Sequence, residues 1–432
     1  MLAVAVACPF NARVQEARYD AVVIGGGPGG SAAGSYLAMA GKKVLIVERE
    51  VFPRFHVGES LLPYNQVLLR ELGVVETLEK LGFPTKYGAQ FHLGNRSKFV
   101  KVLFRNGKFN REHRALQVER SAFDEVLLRN AAAKGANVIE GVTVRDVENG
   151  PSGVGIVLCD RDGKTTRCEA DYVVDATGRD NLTGVREGLR ENHPHLRKIA
   201  VFSHFSNVQL DSGTTSGDTV IVRTSGGWFW LIPIGAAKTS VGAVLDVQEF
   251  RKMGLEPDAA LRMLFENCPE MRTRMTHAQS LIPAQVTSDF SYQNRRLIGP
   301  RLLRVGDAAG FVDPIFSSGV HLAMSSGKSA AQSILRVVDE GLSEERVFAE
   351  YEKRFFRALS FCRELVEHYY TTPFMEVLLE PRREIFSLVD AVNGALAGQF
   401  AERWSIRWRM RMFYRLVRLQ AKRPFLPRIR FD

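Results

Sequence analysis

The run Gly25-Gly26-Gly27-Pro28-Gly29-Gly30 limits the folds open to this chain more than any other feature. Glycines at 25, 27 and 30 satisfy GxGxxG, and the run stands between two short apolar stretches, 19–25 (YDAVVIG) and 43–48 (KVLIVE). Residues 29–41, rich in Ala, Gly and Ser, read as a helix between two strands, which completes a βαβ unit. Glycines permit the tight turn, bring the backbone close to a pyrophosphate, and let helix and strand pack closely. The helix N-terminus then turns its partial positive charge toward the phosphates. Glu48 closes the second strand, where a carboxylate accepts hydrogen bonds from ribose hydroxyls. Gly25, Gly27, Pro28, Gly29, Gly30 and Glu48 are therefore the first candidate nucleotide contacts. The motif alone does not separate FAD from NAD.

Two later segments bear on that choice. Asp175-Ala176-Thr177-Gly178 closes the strand-like YVVDATG, and Gly306-Asp307-Ala308-Ala309 closes LLRVGDAAG. Together with the first motif they resemble the FAD-binding domain shared by aromatic hydroxylases, geranylgeranyl reductases and flavin-dependent halogenases. The resemblance implies FAD as cofactor, with Asp307 at its ribityl–pyrophosphate region. It also sets Gln117 and Arg120 (ALQVERSAFD) along the FAD, and Gly178 and Gly319 beside it. A second GxGxxG for a nicotinamide is lacking, so a separate flavin reductase is the expected source of reduced flavin.

From 199 to 247 the pattern changes to four strand-like runs separated by turn-rich stretches. The expected fold is α/β: a Rossmann-like, three-layer FAD-binding domain over 19–340, with 85–115 and 185–295 forming an antiparallel substrate-side sheet. A helical region follows over 341–432. A helix is expected over 121–134 with Ser121 as its cap, and another from about 318.

Three segments carry chemistry. In Trp228-Phe229-Trp230-Leu231-Ile232-Pro233, period two puts Trp228, Trp230 and Ile232 on one face, and Pro233 ends the ladder. Core packing alone accounts for such a pair of indoles. The segment also resembles the WxWxIP motif of flavin-dependent halogenases, whose indole wall keeps the organic substrate off the flavin and leaves halide to meet the activated oxygen. Phe311–Gly319 (FVDPIFSSG) fits a second halogenase pattern, FxxPxxSxG. By resemblance the N–H groups of Ser318 and Gly319 bind halide; in hydroxylases the same groups serve the flavin carbonyl. Lys86, in GFPTKYG, matches the lysine with which halogenases hold hypohalous acid. An ammonium polarises that species, whereas a neutral amine attacks its halogen. Tryptophan halogenases carry a glutamate near the halide loop where this chain has Phe316. An electron-rich phenol or pyrrole, free or tethered to a carrier protein, is therefore the expected substrate, and chloride or bromide the halide. Prenyl-chain reduction, aromatic hydroxylation and a flavin-binding interaction protein are the alternatives.

Charge is unevenly spread. Residues 401–432 hold ten Arg and Lys against two acidic residues, so +8 of the net +10 lies there and only +2 in the preceding 400. Nucleic-acid binding is thus not expected as a whole-domain property. If 403–420 is one helix, Arg403, Arg407, Arg411, Arg415 and Arg418 share a side, with Trp404, Trp408, Met412, Leu416 and Leu419 as a neighbouring apolar stripe. Such a helix suits a membrane surface or an acidic partner such as a carrier protein, or packs on the body with its basic face solvated. The cysteines at 8, 159, 168, 268 and 362 form no CxxC pair and no metal-ligand spacing with the nine histidines, so neither metal nor disulfide framework is expected. The N-terminal MLAVAVACPF lacks a basic start and reads as a frayed leader rather than a signal peptide. The expected setting is cytoplasmic, with peripheral membrane contact through the tail helix an open alternative.

Overall fold

Every residue of Val44–Glu48, and all but one of Tyr19–Ile24, is buried, as strands covered on both faces of a parallel sheet require. In the computed structural model these two strands lie within an eight-stranded sheet. Its main order is Ile298–Gly299, Leu302–Arg304, Thr165–Asp175, Tyr19–Ile24, Val44–Glu48, Asn137–Glu140. The structure describes residues 18–288, 290–380, 387–400 and 404–431; the N-terminal leader and Arg403 lie outside them. Val22, Ile24, Leu45 and Val47 pack beneath a meander formed by Thr143–Gly150, Gly153–Cys159 and the start of Thr165–Asp175. Ala21, Val23, Val44 and Ile46 face the helices Pro28–Met39, Arg120–Ala133 and Ser318–Val338 on the other side. Meander, sheet and helices are the three layers. The helix expected to be capped by Ser121 begins at Arg120 after Glu119. Ser121 lies inside its first turn, and Arg120 is bound to Asp124 one turn on.

A second eight-stranded sheet stands beside the first. Its main order is Gln279–Ser280, Lys198–Ser206, Lys238–Asp246, Gly227–Gly235, Thr219–Arg223, Gly88–Leu93, Phe99–Leu103. All its pairings are antiparallel except Thr219–Arg223 with Gly88–Leu93, which run parallel. The tryptophan strand does not stop at Pro233: it continues to Gly235 across a register shift that accommodates the missing N–H.

Helices Glu344–Tyr369, Thr372–Leu378, Leu388–Ala397 and Trp404–Lys422 follow. The last one packs by a strip other than the one that carries its tryptophans. Ile406, Met410, Phe413, Tyr414 and Val417 pack into the core, whereas Trp404 is 74% and Leu419 47% exposed. Cys159, Cys168, Cys268 and Cys362 are free and buried. Among the described residues no helix is long and apolar enough to cross a membrane, and no group of three or more His, Cys, Asp or Glu is placed to hold a metal.

Candidate active site

The glycine run, the loop after Val47, and the starts of two later helices enclose a cleft of about 520 Å³ where the two sheets meet. Gly25 (φ +105°) makes the turn out of the first strand, and a Cβ there would lie 2.3 Å from Ala176 O. At Gly27 a Cβ would meet only Arg54 Nη2, at 3.5 Å, so the space this glycine leaves open belongs to the cleft and not to protein packing. Gly29, Pro28, Gly178 and Glu48 also line it; Gly30 lies behind, serving the tight turn. Glu48 accepts from Gly26 N (2.6 Å) and Glu50 N (2.9 Å), which fixes its carboxylate at the cleft wall with lone pairs left for ribose hydroxyls.

Farther along, Asp124 binds two guanidiniums that reach the lining. Arg120 Nε and Nη2 donate to it at 2.8 and 2.9 Å, and Arg54 Nη1 stands 2.9 Å away. Burial alone would raise the Asp124 pKa, but Arg120 and Arg54 outweigh it and hold the carboxyl below its ordinary value. One carboxylate against two cations leaves a positive balance suited to phosphate groups. Asp307 faces the cleft with no hydrogen bond to its carboxyl from the described residues, and burial raises it to about 6 despite Arg179 and Arg120. A buried carboxyl that wants hydroxyl donors, a phosphate-compatible cation pair and an open glycine cradle together fit FAD. Gln117 stands apart. It is fully buried outside the lining and donates to Thr219 Oγ1 (2.9 Å) and Gly217 O (3.0 Å).

Trp228, Trp230 and Ile232 line the cleft from the second sheet, and Pro233 lies beyond them. The indole centroids are 5.9 Å apart at 48°. Trp230 lies across from Gly242 in the ladder; a Cβ at 242 would come within 2.4 Å of the indole, so glycine there makes the room the ring fills. Trp228 Nε1 donates to Tyr370 OH (3.0 Å), which donates to Asp313 Oδ2 (2.8 Å). Asp313 Oδ1 accepts from Ile315 N in the FVDPIFSSG loop (3.0 Å), and burial raises this carboxyl to about 6. The indole wall and the loop are thereby one hydrogen-bonded unit. Past the loop, Ser317 (φ +55°) enters the helix Ser318–Val338, which has no side-chain cap. Gly319 lines the cleft; Ser318 is buried with its hydroxyl against Cys362. Phe316 packs edge-on against Tyr369, with ring centroids 5.5 Å apart.

Lys86 is 2% exposed and outside the cleft lining. Its Nζ donates to Ser60 Oγ (2.8 Å) and Leu61 O (3.3 Å), and lies 5.7 Å from the Phe104 ring centroid. Ser60 does line the cleft, and its hydroxyl is 3.0 Å from Thr219 Oγ1. Thr219 and Ile221 lie on the cleft side of their strand, and Ile221 is paired with Trp230. Burial lowers the Lys86 amine to about 7, partly opposed by Asp218. Beside Ser60, Glu59 Oε1 lies 3.1 Å from His204 Nε2.

By resemblance the sequence sets Phe52–Ser60 (FPRFHVGES) near the flavin ring without a catalytic step, and residues 54–60 do line the cleft; it misses Thr219, Asp124, Tyr370 and Gly242. Only Arg120–Asp124, spaced i,i+4 on a helix, left a local signal.

Comparison with known proteins places this architecture among the flavin-dependent halogenases, and FAD is its cofactor. The chain belongs to the tryptophan halogenase family, whose model matches residues 20–106 and 95–377. It is 34% identical over 374 residues to a 1H-pyrrole-2-carbonyl-[peptidyl-carrier protein] chlorinase of Pseudomonas fluorescens, covering 82% of this chain and 83% of the relative. It is likewise 34% identical over 328 residues to a 1H-pyrrole-2-carbonyl-[peptidyl-carrier protein] brominase of Pseudoalteromonas luteoviolacea, covering 74% and 78%. A solved flavin-dependent brominase superposes with a TM-score of 0.83 at 29% identity, over 94% of this chain and 100% of that one.

Proposed function

We propose that this enzyme chlorinates or brominates an electron-rich ring, a pyrrole-2-carbonyl group above all, carried as the thioester of a carrier protein. A separate reductase supplies reduced FAD. The two pyrrole-carrier halogenases among its relatives support the substrate class. By resemblance Phe316, whose ring packs against Tyr369, stands where tryptophan halogenases carry a glutamate, which favours the same substrate class. A pyrrole is nucleophilic enough to react without such a carboxylate.

When bound and reduced, FAD supplies the oxygen activation that turns halide into hypohalous acid. The chain's residues do the rest. Gly25, Gly27, Gly29, Glu48, Arg120 and Asp307 hold the cofactor. The N–H groups of Ser318 and Gly319, at an uncapped helix start, hold the halide. Trp228, Trp230 and Ile232 close the cleft against the organic substrate. Lys86 receives the hypohalous acid: its neutral amine takes the halogen with loss of water, or its ammonium donates a hydrogen bond to the acid. The ring carbon then bonds to halogen as the N–halogen bond (on the ammonium route, the O–halogen bond) breaks, and the proton lost by the ring balances the one taken up by the lysine nitrogen or the departing hydroxide, giving back the amine or water.

The observation that carries this reading is the position of Lys86. It is buried, poised near neutrality, and joined to the cleft through Ser60 without lying in it. The test is halide-dependent product formation with reduced FAD and a pyrrole-2-carbonyl-loaded carrier protein. Lys86→Ala is expected to abolish product, a loss of at least about 100-fold, while FAD content stays unchanged. Product at the wild-type rate from Lys86→Ala sinks the reading.

A further inference from the structure

The helix Trp404–Lys422 uses only one side to hold itself on the body. At about 100° per residue, Ile406, Met410, Phe413, Tyr414 and Val417 occupy the buried side. Arg407, Arg411, Arg415, Arg418 and Lys422 fall within one arc of roughly 80° on another side. None of these five is paired with a carboxylate among the described residues, and Arg411, Arg415, Arg418 and Lys422 are exposed. Beside that arc runs a second apolar strip, the one that reaches water at Trp404 and Leu419. The helix therefore carries a cationic row and an uncovered apolar ridge that the fold itself does not use.

Its place in the molecule is also specific. Arg409 lies over the Phe109 ring at 4.9 Å, Gln399 Nε2 donates to Phe109 O, and Asn393 Nδ2 donates to Leu103 O at 2.8 Å. These contacts join the terminal helices to the 103–110 segment, whose Phe104 ring packs against Lys86. At about 100° per residue Arg409 lies at least about 120° around the helix from the cationic row, which is therefore turned away from that segment.

We infer that this face docks an acidic carrier protein that bears the enzyme's tethered acyl substrate. The inference rests on the tethered-substrate reading above. Arginine dominates the row, and its planar fork suits paired recognition of surface carboxylates. The apolar ridge supplies the desolvated centre that an interface of charges alone would lack.

The experiment uses the full-length enzyme with FAD, and two probes: a pyrrole-2-carbonyl-loaded carrier protein, and the N-acetylcysteamine thioester of the same acyl group. The variant is Arg411→Glu/Arg415→Glu/Arg418→Glu, with a glutamine triple at the same positions for comparison. The inference expects KM for the carrier to rise at least about tenfold in the Glu triple and less in the Gln triple, with kcat on the small thioester unchanged. Labelled carrier should bind the wild-type chain and lose that binding as salt rises. Carrier KM within twofold of wild type in both triples overturns the docking face. So does wild-type activity on the small thioester with none on the carrier. Wild-type activity on neither overturns the tethered-substrate reading itself. Anionic phosphatidylglycerol vesicles form the last arm. Vesicle binding lost in the Glu triple, with carrier kinetics unchanged, assigns the face to a membrane and overturns the inference.

Discussion

Lys86 Nζ donates to Ser60 Oγ at 2.8 Å, and of the two only Ser60 reaches the cleft. Thr219 Oγ1 accepts from Gln117, so its own proton is free for Ser60. If Thr219 donates to Ser60, Ser60 Oγ accepts from both neighbours and its hydroxyl proton is available to the cleft; either hydroxyl can be the donor in this pair. Ser60→Ala should keep FAD bound and lower kcat for halogenation roughly 10- to 100-fold, the worth of a hydrogen bond to a charged group. Single-turnover product formation checks this; an unchanged rate means that the lysine needs no such positioning.

The same lysine predicts an unusual pH dependence. Burial brings it to about 7 from an ordinary 10.5. Between those values the unfolded chain holds a proton that the folded chain has released, so this group adds stability as pH rises through the window. Below about 7 the folded protein bears the whole cost of a buried ammonium. Lys86→Met should therefore stabilise most at pH 6, by on the order of a few kcal/mol read as a higher Tm, and progressively less toward pH 10. Wild-type halogen transfer should rise with pH through about 7, as the nucleophilic amine forms. A Tm gain that is flat with pH contradicts the first expectation, and a rate that falls through pH 7 favours the ammonium route.

Gly242 and Trp230 form a steric pair across one ladder. A methyl at 242 would sit 2.4 Å from the indole and 2.6 Å from Phe202 Cβ, between side chains with no free space. Gly242→Ala should cost about 1–3 kcal/mol by overpacking and tilt the barrier indole. Thermal unfolding measures the first effect. The second should appear as more peroxide released per halogenated product, and tight coupling retained in this variant would show that the indole's pose does not govern the barrier.

What sequence alone revealed divides along a physical line. The βαβ start, Glu48, the tryptophan strand and the 318 helix were legible because their signals are local: glycine spacing, period two, and a helix after a loop. Thr219, Tyr370 and the partner role of Ser60 were not. Each acts through a partner at least 26 residues away, and nothing at position 370 announces that its hydroxyl will meet an indole at 228. The terminal helix was legible as a helix, but its packing side was not. Its sequence carries two apolar strips, and packing against the rest of the chain, not the bulk of the tryptophans, decides which one is buried. Gln117 was carried over by resemblance to the FAD, yet it serves Thr219, one step behind the wall.

Tyr370 gives the strictest test of whether the halide loop and the indole wall act as one unit. Its hydroxyl accepts from Trp228 Nε1 and donates to Asp313, whose other oxygen caps the loop at Ile315. Tyr370→Phe keeps the ring and removes both bonds, leaving a buried indole N–H and half of a buried carboxyl unsatisfied. The expected loss is about 1–3 kcal/mol. Asp313, already raised to about 6 by burial, should rise further once its donor is gone, and activity should then fall at a higher pH on acidification than in the wild type. If wall and loop are coupled, the KM for halide should also increase in Tyr370→Phe, although residue 370 lies outside the cleft lining. A variant that loses stability but keeps the wild-type halide KM and acid limb would make Tyr370 a packing residue only. The Trp228–Asp313 connection would then carry no functional consequence.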